Sequence, residues 1–201
     1  MRYSDFTLEL IEEKLGVKNT IASIFAPITA IQPSNRLTDS LQMAKELPIR
    51  SEKAKSEWIV VPILGEMREI NNKYFTIYSG DTLNVDIPKG LRGECDFILA
   101  KDVQSYSINY PILQIVEAKK NDIDLGLPQC AAQMIGAKLF NQKKGVSMET
   151  IYGCVTTGDE WLFLKLTDLI EVDTQKLYLN ELPILLGAFQ QIIDYYKVIL
   201  K

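Results

Sequence analysis

The stretch "PILQIVEAKKND", Pro111 to Asp122, decides how the chain is read. Ile112, Leu113, Ile115 and Val116 are apolar and mostly β-branched, as in a strand buried on both faces. Glu117, Lys119 and Lys120 arrive while that pattern is still running. Residues i and i+2 of a strand project from one face. Glu117 and Lys119 are therefore expected on the same side of a sheet, with Ala118 on the other. A core strand that ends in a carboxylate and an ammonium two residues apart needs a chemical reason.

Upstream, "GECDFILA", Gly93 to Ala100, is a second apolar strand with one intruder, Asp96. If the two strands are antiparallel neighbours joined by a turn from Lys101 to Asn109, Asp96 comes beside Glu117. Two carboxylates in an apolar setting repel and resist ionisation. A divalent cation relieves that repulsion. Mg²⁺, or Mn²⁺ in its place, takes hard oxygen ligands, commonly one or two carboxylates with water and substrate phosphate. A nearby Lys119 can then orient a water or stabilise charge developing on a phosphate. Taken alone, Glu-x-Lys at a strand end also describes a structural ion pair, Asp96–Lys119 or Glu117–Lys119. The larger pattern favours the metal: Asp96, twenty intervening residues, then Glu117-Ala118-Lys119, both sets on apolar strands.

The rest of the chain supplies helices and further strands. Residues 4–15 read as a short helix with Ser4 as N-cap, and "FAPITAIQPSNRLTDS", Phe25 to Ser40, as irregular chain. A helix follows from about Arg36 to Glu46. A longer helical pattern starts near Ser51 and should be kinked by Pro62. Tyr74–Tyr78 reads as a strand, with turn chemistry at Ser79-Gly80-Asp81 and Pro88-Lys89-Gly90. "DLGLPQCAAQMIGAKLFNQKKG" is a helix with Pro128 in its first turn and Gly145 ending it. "IYGCVTTGDEWLFLKLTDLIEVDT" is a meander of two or three strands, and "ELPILLGAFQQIIDYYKVILK" a closing amphipathic helix. Trp161 and Phe163 read as core. This order predicts an α/β fold with a central mixed sheet flanked by helices. With no repeat or linker, 1–201 reads as a single domain.

Bulk properties narrow the chemistry. The 201 residues are 47% hydrophobic and 24% charged, with no apolar run long enough for a membrane helix. The N-terminus, "MRYSDFTLELIEEK", is acidic and amphipathic, unlike a secretory signal. Cys95, Cys130 and Cys154 are odd in number and widely spaced, which predicts reduced core cysteines in a cytoplasmic protein. There is no histidine. That excludes Ser-His-Asp triads, Cys-His proteases, histidine zinc sites and histidine-dependent nucleases. The net charge is −4, without the global basicity of many nucleic-acid proteins. The local clusters Lys45, Arg50, Lys53, Lys55 and Lys138, Lys143, Lys144 read as solvated faces.

"GECDFILA…PILQIVEAKK" resembles the core of the PD-(D/E)xK nuclease superfamily, with its restriction-endonuclease-like three-layer fold. The resemblance covers roughly residues 50–166, leaving a helical extension at 1–49 and a strand and helix at 167–201. One departure is that Asp96 follows Cys95 rather than Pro. The resemblance implies a Mg²⁺-dependent nuclease, with Asp96 and Glu117 as metal ligands and Lys119 positioning water. It also implies a Gln on the following helix, where Gln129 stands, and a Glu on the preceding one. That Glu is ambiguous. Glu57 and Glu66 are nine residues apart, about 900° at ~100° per residue, and face opposite ways. Glu57 shares a face with Val61 and Leu64 and is preferred, with Glu52 and Glu66 as fallbacks. Glu66 otherwise reads as a solvated carboxylate. Gln133, one turn after Gln129, reads as part of an exposed polar stripe.

The expectation is a nuclease acting on nucleic acid, DNA ahead of RNA, with no membrane partner. Two active sites for a duplex, and the apolar stripe from Leu182 to Leu200, point to a homodimer. The alternative is a binding or structural module that keeps the fold without turnover, or a subunit of a nucleic-acid-processing complex.

Overall fold

A computed structural model describes residues 1–101 and 105–200. Among the described residues, eight strands form one mixed sheet. The N-terminal segment holds a 3-10 turn (Tyr3–Asp5), α1 (Leu8–Leu15), β1 (Asn19–Ala22) and α2 (Asn35–Lys45). A helical run follows from Glu52, made of α3 (Glu52–Lys55), a π turn (Ser56–Val60) and α4 (Val61–Ile70). Next come β2 (Phe75–Thr82), β3 (Glu94–Lys101) and β4 (Ile112–Ala118), then α5 (Ile123–Lys143). The chain closes with β5 (Ile151–Thr156), β6 (Glu160–Leu166), β7 (Ile170–Asp173), β8 (Leu177–Tyr178) and α6 (Leu182–Ile199). The spatial order is β1-β7-β6-β5-β4-β3-β2, with β8 beside β6. β4 and β5 are parallel, as are β1 and β7, and the other pairs are antiparallel.

Helices cover both faces. Gly153 of β5 lies against Met134 and Cys130 of α5, where a Cβ would come within 2.3 Å of the methionine sulfur. Its neighbour Tyr152 turns the other way and meets Tyr195 and Tyr196 of α6 edge-on. β4 lies between the two layers, and every one of its residues is buried. That accounts for its continuous apolar run. Trp161 and Phe163 both pack on Phe189 of α6, as core. All three cysteines are free and buried. Among the described residues, no helix is long and apolar enough to cross a membrane.

Several local expectations are corrected. The first helix is capped by Thr7, which accepts from Leu10 N, rather than by Ser4. β1 falls in a stretch to which the sequence pattern assigns no element. It is a sheet edge, short and largely exposed, so it lacks an alternating pattern. The 1–49 extension is therefore not purely helical. β2 runs through Ser79-Gly80-Asp81, and Gly80 adopts φ +69° within it. α5 starts at Ile123 with Asp122 as cap, which puts Pro128 in the second turn rather than the first. Of the turn expected from Lys101 to Asn109, residues 102–104 lie outside the described residues. Pro62 acts as expected, through a specific device. It has no N–H for the carbonyl four residues back, and the preceding turn widens so that Val61 N donates to Ser56 O.

The apolar stripe of α6 is largely covered within the chain. Leu185, Leu186, Phe189, Ile192, Ile193 and Tyr196 are buried, while Val198 and Ile199 stay exposed. The stripe therefore supplies no broad face for a second copy.

Glu66 is buried at 5% exposure rather than solvated. Its Oε1 accepts from Ser34 N at 2.8 Å and its Oε2 from Ser34 Oγ at 2.8 Å, with Arg36 at 3.4 Å. Ser34 is the N-cap of α2. One buried carboxylate thus pins the start of α2 to α4. Glu66→Ala is expected to lower stability by about 1–3 kcal/mol, because the charge-assisted bonds that tie the start of α2 to α4 are lost. Urea unfolding measures it; a change under about 0.5 kcal/mol would show that the clamp contributes little.

Candidate active site

The register of β3 on β4 pairs Phe97 with Val116 and Ile98 with Ile115. Continuing it one step places Asp96 opposite Glu117. On the other side of β3, the ladder pairs Ser79 with Phe97 and Asp81 with Cys95. Gly80 therefore stands opposite Asp96. β4 pairs Glu117 with Val155 of β5. One rank across the sheet thus reads Gly80, Asp96, Glu117, Val155. It places two carboxyls side by side, with no side chain from β2 between Asp96 and solvent.

Each group in the rank has partners. Asp96 Oδ2 accepts from the Ala118 backbone N–H at 2.7 Å. Glu117 is 1% exposed. Its Oε1 accepts from Lys119 Nζ at 2.7 Å and its Oε2 from Gln133 Nε2 at 2.9 Å. Lys119 Nζ also donates to Gln129 Oε1 at 3.2 Å. Lys119 N bonds Thr156 O at 2.8 Å, so the β4–β5 ladder continues one residue past the strand and fixes the lysine backbone. Gly126 of α5 lies over the lysine stem, where a Cβ would sit 2.6 Å from Val155 and 2.9 Å from Lys119 Cγ. A glycine here lets α5 approach closely enough to hold that stem.

The electrostatics follow from burial. Burial pushes the Asp96 carboxyl up, against the Ala118 N–H and Lys119, while Glu52 pushes it further up. Burial, with Asp96 alongside, raises Glu117 to about 7, against the pull of Lys119 and Gln133. For Lys119, burial acts downward, but Glu117 and Asp96 outweigh it and hold the ammonium above its ordinary value. The Glu117 carboxyl beside Asp96 draws the Asp96 value partly back down. Near neutral pH, the rank resists carrying two negative charges beside one ammonium.

The helix carboxylates fall differently from expectation. Glu57 does share its face with Val61, but Val61 is itself exposed. Glu57 is 54% exposed and pairs with Lys53 at 3.8 Å. The π turn and the exposure of Val61 put that face on the outside rather than in the core. Glu66 is tied to Ser34, as described above. Glu52 is the helix carboxylate felt by both Asp96 and Lys119. Glu52, Glu57, Glu94, Gly80 and Asp96 line one cavity of about 360 Å³. Gln133 is the residue that sequence reading set aside. It is fully buried, not on an exposed stripe, and its amide donates to Glu117 and to Glu94 O at 3.2 Å. The signal was present in its position one turn from Gln129.

The donor set suits a hard divalent cation. It offers Asp96, half-buried on the wall of a cavity that Glu52 also lines, and the buried Glu117 beside it, two carboxyls that repel. The Gln133 Oε1 is buried without a partner. Its Nε2 is committed to two acceptors, so that oxygen must face some other group. Among the described residues, no group of three or more His, Cys, Asp or Glu side chains is placed to hold a metal ion. Mg²⁺ commonly uses only one or two carboxylates, completing its shell with water and phosphate. No protein family, curated protein or solved structure matches this chain.

The raised Glu117 pKa has a stability consequence. Between the ordinary value of 4.5 and about 7, the unfolded chain has released this proton while the folded chain retains it. Stability then falls as pH rises through that window. Relative to Glu117→Gln, which cannot titrate, the wild type is expected to lose on the order of 3 kcal/mol between about pH 4.5 and pH 8. Urea midpoints across that range measure it, and parallel profiles for the two proteins would mean that Glu117 ionises normally.

Proposed function

We propose that the chain is a Mg²⁺- or Mn²⁺-dependent nuclease with a restriction-endonuclease-like core, cutting phosphodiester bonds in nucleic acid, DNA ahead of RNA. The observation that carries this reading is the opposition of two carboxyls, the half-buried Asp96 and the buried Glu117, with Lys119 Nζ 2.7 Å from Glu117. Groups of that kind are costly to bury unless they are used or fully paired.

Asp96 and Glu117 would hold the cation, with Glu52 rather than Glu57 as the helix carboxylate nearest to them in effect. A divalent cation there would neutralise the pair and polarise a phosphoryl oxygen. Lys119, freed from Glu117, would orient the water that attacks phosphorus. Its stem is held by Gly126 and its backbone by Thr156. Gln129 accepts from the Lys119 ammonium and would steady it through that change. Gln133 keeps Glu117 Oε2 pointed in one direction, as a positioning residue.

A second reading has one observation behind it. Both Glu117 oxygens already accept hydrogen bonds, from Lys119 and Gln133. A set so well satisfied also suits a structural network in a binding module without turnover.

Single-turnover assays on labelled single- and double-stranded DNA and RNA, with metal titration by calorimetry, separate the two. Lys119→Ala and Asp96→Ala should each lose roughly 100–1,000-fold in rate with the fold intact. Asp96→Ala should also lose metal affinity, whereas Lys119→Ala should bind metal as well as the wild type or better. If the wild type binds no divalent metal and cuts none of the four substrates, the structural network is the correct reading.

A further inference from the structure

A second cavity, of about 480 Å³, adjoins the carboxylate site and has the opposite character. Arg2, Arg92, Thr82, Asn84 and Gln129 line it. The two cavities share Glu94 as a common wall. Gln129 links the second cavity to the site directly, because its Oε1 accepts from Lys119 Nζ. Its amide nitrogen is left to donate.

Among the described residues, neither arginine has an ion-pair partner. Arg2 uses its backbone N–H, bonded to Asp5 Oδ2 at 2.8 Å, and leaves its exposed guanidinium uncommitted. Arg92 donates through Nε to Met1 O at 3.0 Å, so its two terminal nitrogens remain. Other cations near the core are committed. Lys55 pairs with Asp159, Lys138 donates to Thr167 O, and Lys144 lies over Tyr110 and Phe140.

The arginines are also held in place. Tyr3 N bonds Arg92 O at 3.0 Å, and the Tyr3 ring is buried between Gly93 and Gly136. A Cβ on Gly136 would sit 2.3 Å from the Tyr3 hydroxyl, so α5 accepts the ring only because it carries glycine there. Arg2 therefore follows an anchored residue rather than a loose end. The Tyr3 hydroxyl is buried without a hydrogen-bond partner, and Tyr3 lines the cavity. Asn84 Oδ1 is taken by Gly93 N at 3.2 Å, which leaves its amide as a donor. The lining thus offers two guanidinium groups and neutral amide donors against one carboxylate, Glu94, on the wall shared with the acidic cavity; the guanidinium and amide groups are a set that recognises phosphate oxygens.

We infer that Arg2 and Arg92 hold the backbone phosphate of a nucleic-acid strand next to the phosphate presented to Asp96, Glu117 and Lys119. This rests on the nuclease reading, and it assigns the strand a path from the arginine cavity across Gln129 to the carboxylates. Two arginines in a cavity of this size reach one or two phosphates, which suits a single strand better than the broad face of a duplex.

The test is fluorescence anisotropy with a labelled single-stranded oligodeoxynucleotide, with Ca²⁺ in place of Mg²⁺ so that binding is read apart from turnover. Arg2→Gln with Arg92→Gln should weaken binding at least about tenfold and reduce the salt slope by about 1.4. Arg2→Gln alone should give about half the slope change, and its side chain has no partner in the fold to lose. Lys18→Gln, at the far edge of the sheet beside β1, should change neither. Circular dichroism melting checks that each variant is folded. Equal affinity and slope in the double variant, or no binding by the wild type, would overturn the inference. Mg²⁺-dependent cleavage, measured on the same proteins, reports the nuclease reading separately: a wild type that cuts while the arginine variants bind unchanged sinks this inference alone.

Discussion

Two carboxyl groups, the half-buried Asp96 and the buried Glu117, occupy one rank of the sheet, and the surrounding structure answers to that constraint. In a low-dielectric setting each ionised carboxyl opposes the other. The sheet brings in the Ala118 N–H for one and the Lys119 ammonium for the other. α5 adds Gln133 and, through Gln129, a second hold on the lysine. It comes that close because Gly126 faces the lysine stem and Gly153 faces Met134 and Cys130. The helix glycine and the strand glycine are therefore conditions for the charge network as much as for the packing.

Much of this was legible in the sequence, for definite reasons. A strand buried on both faces must be apolar throughout, so charges within Ile112–Ala118 and Glu94–Lys101 stood out. The i, i+2 rule placed Glu117 and Lys119 together, and the observed 2.7 Å contact follows from it. The mixed sheet flanked by helices was likewise written in the order of apolar runs.

What stayed hidden depended on partners distant in sequence. Glu66 could not be told from a solvated carboxylate, because its partner Ser34 lies 32 residues away. Gln133 looked like half of a polar stripe until Glu117 and the Glu94 carbonyl were seen opposite it. Helical phase misled at Glu57 because a core face was inferred from Val61 and Leu64, and across the π turn at Ser56–Val60 only Leu64 is buried while Val61 is exposed. β1 had no signal of its own: it is an edge strand recruited by β7, with Ile21 74% exposed.

The net charge of −4 looks unsuited to a polyanionic ligand, yet it describes the whole surface and not the site. Exposed charges are screened over a Debye length of about 8 Å at physiological salt. What a strand meets on arrival is the local arrangement. Here that arrangement is divided, with Glu52, Glu57, Glu94 and Asp96 around one cavity and Arg2 and Arg92 in the next. On the proposed reading, the acidic half would repel phosphate until a cation occupied it, whereas the arginine half would attract phosphate with or without the cation. A strand would then be held first beside the carboxylates and drawn over them only once they are neutralised. That order would couple binding at the proposed site to the metal through charge alone, without requiring any part of the fold to move.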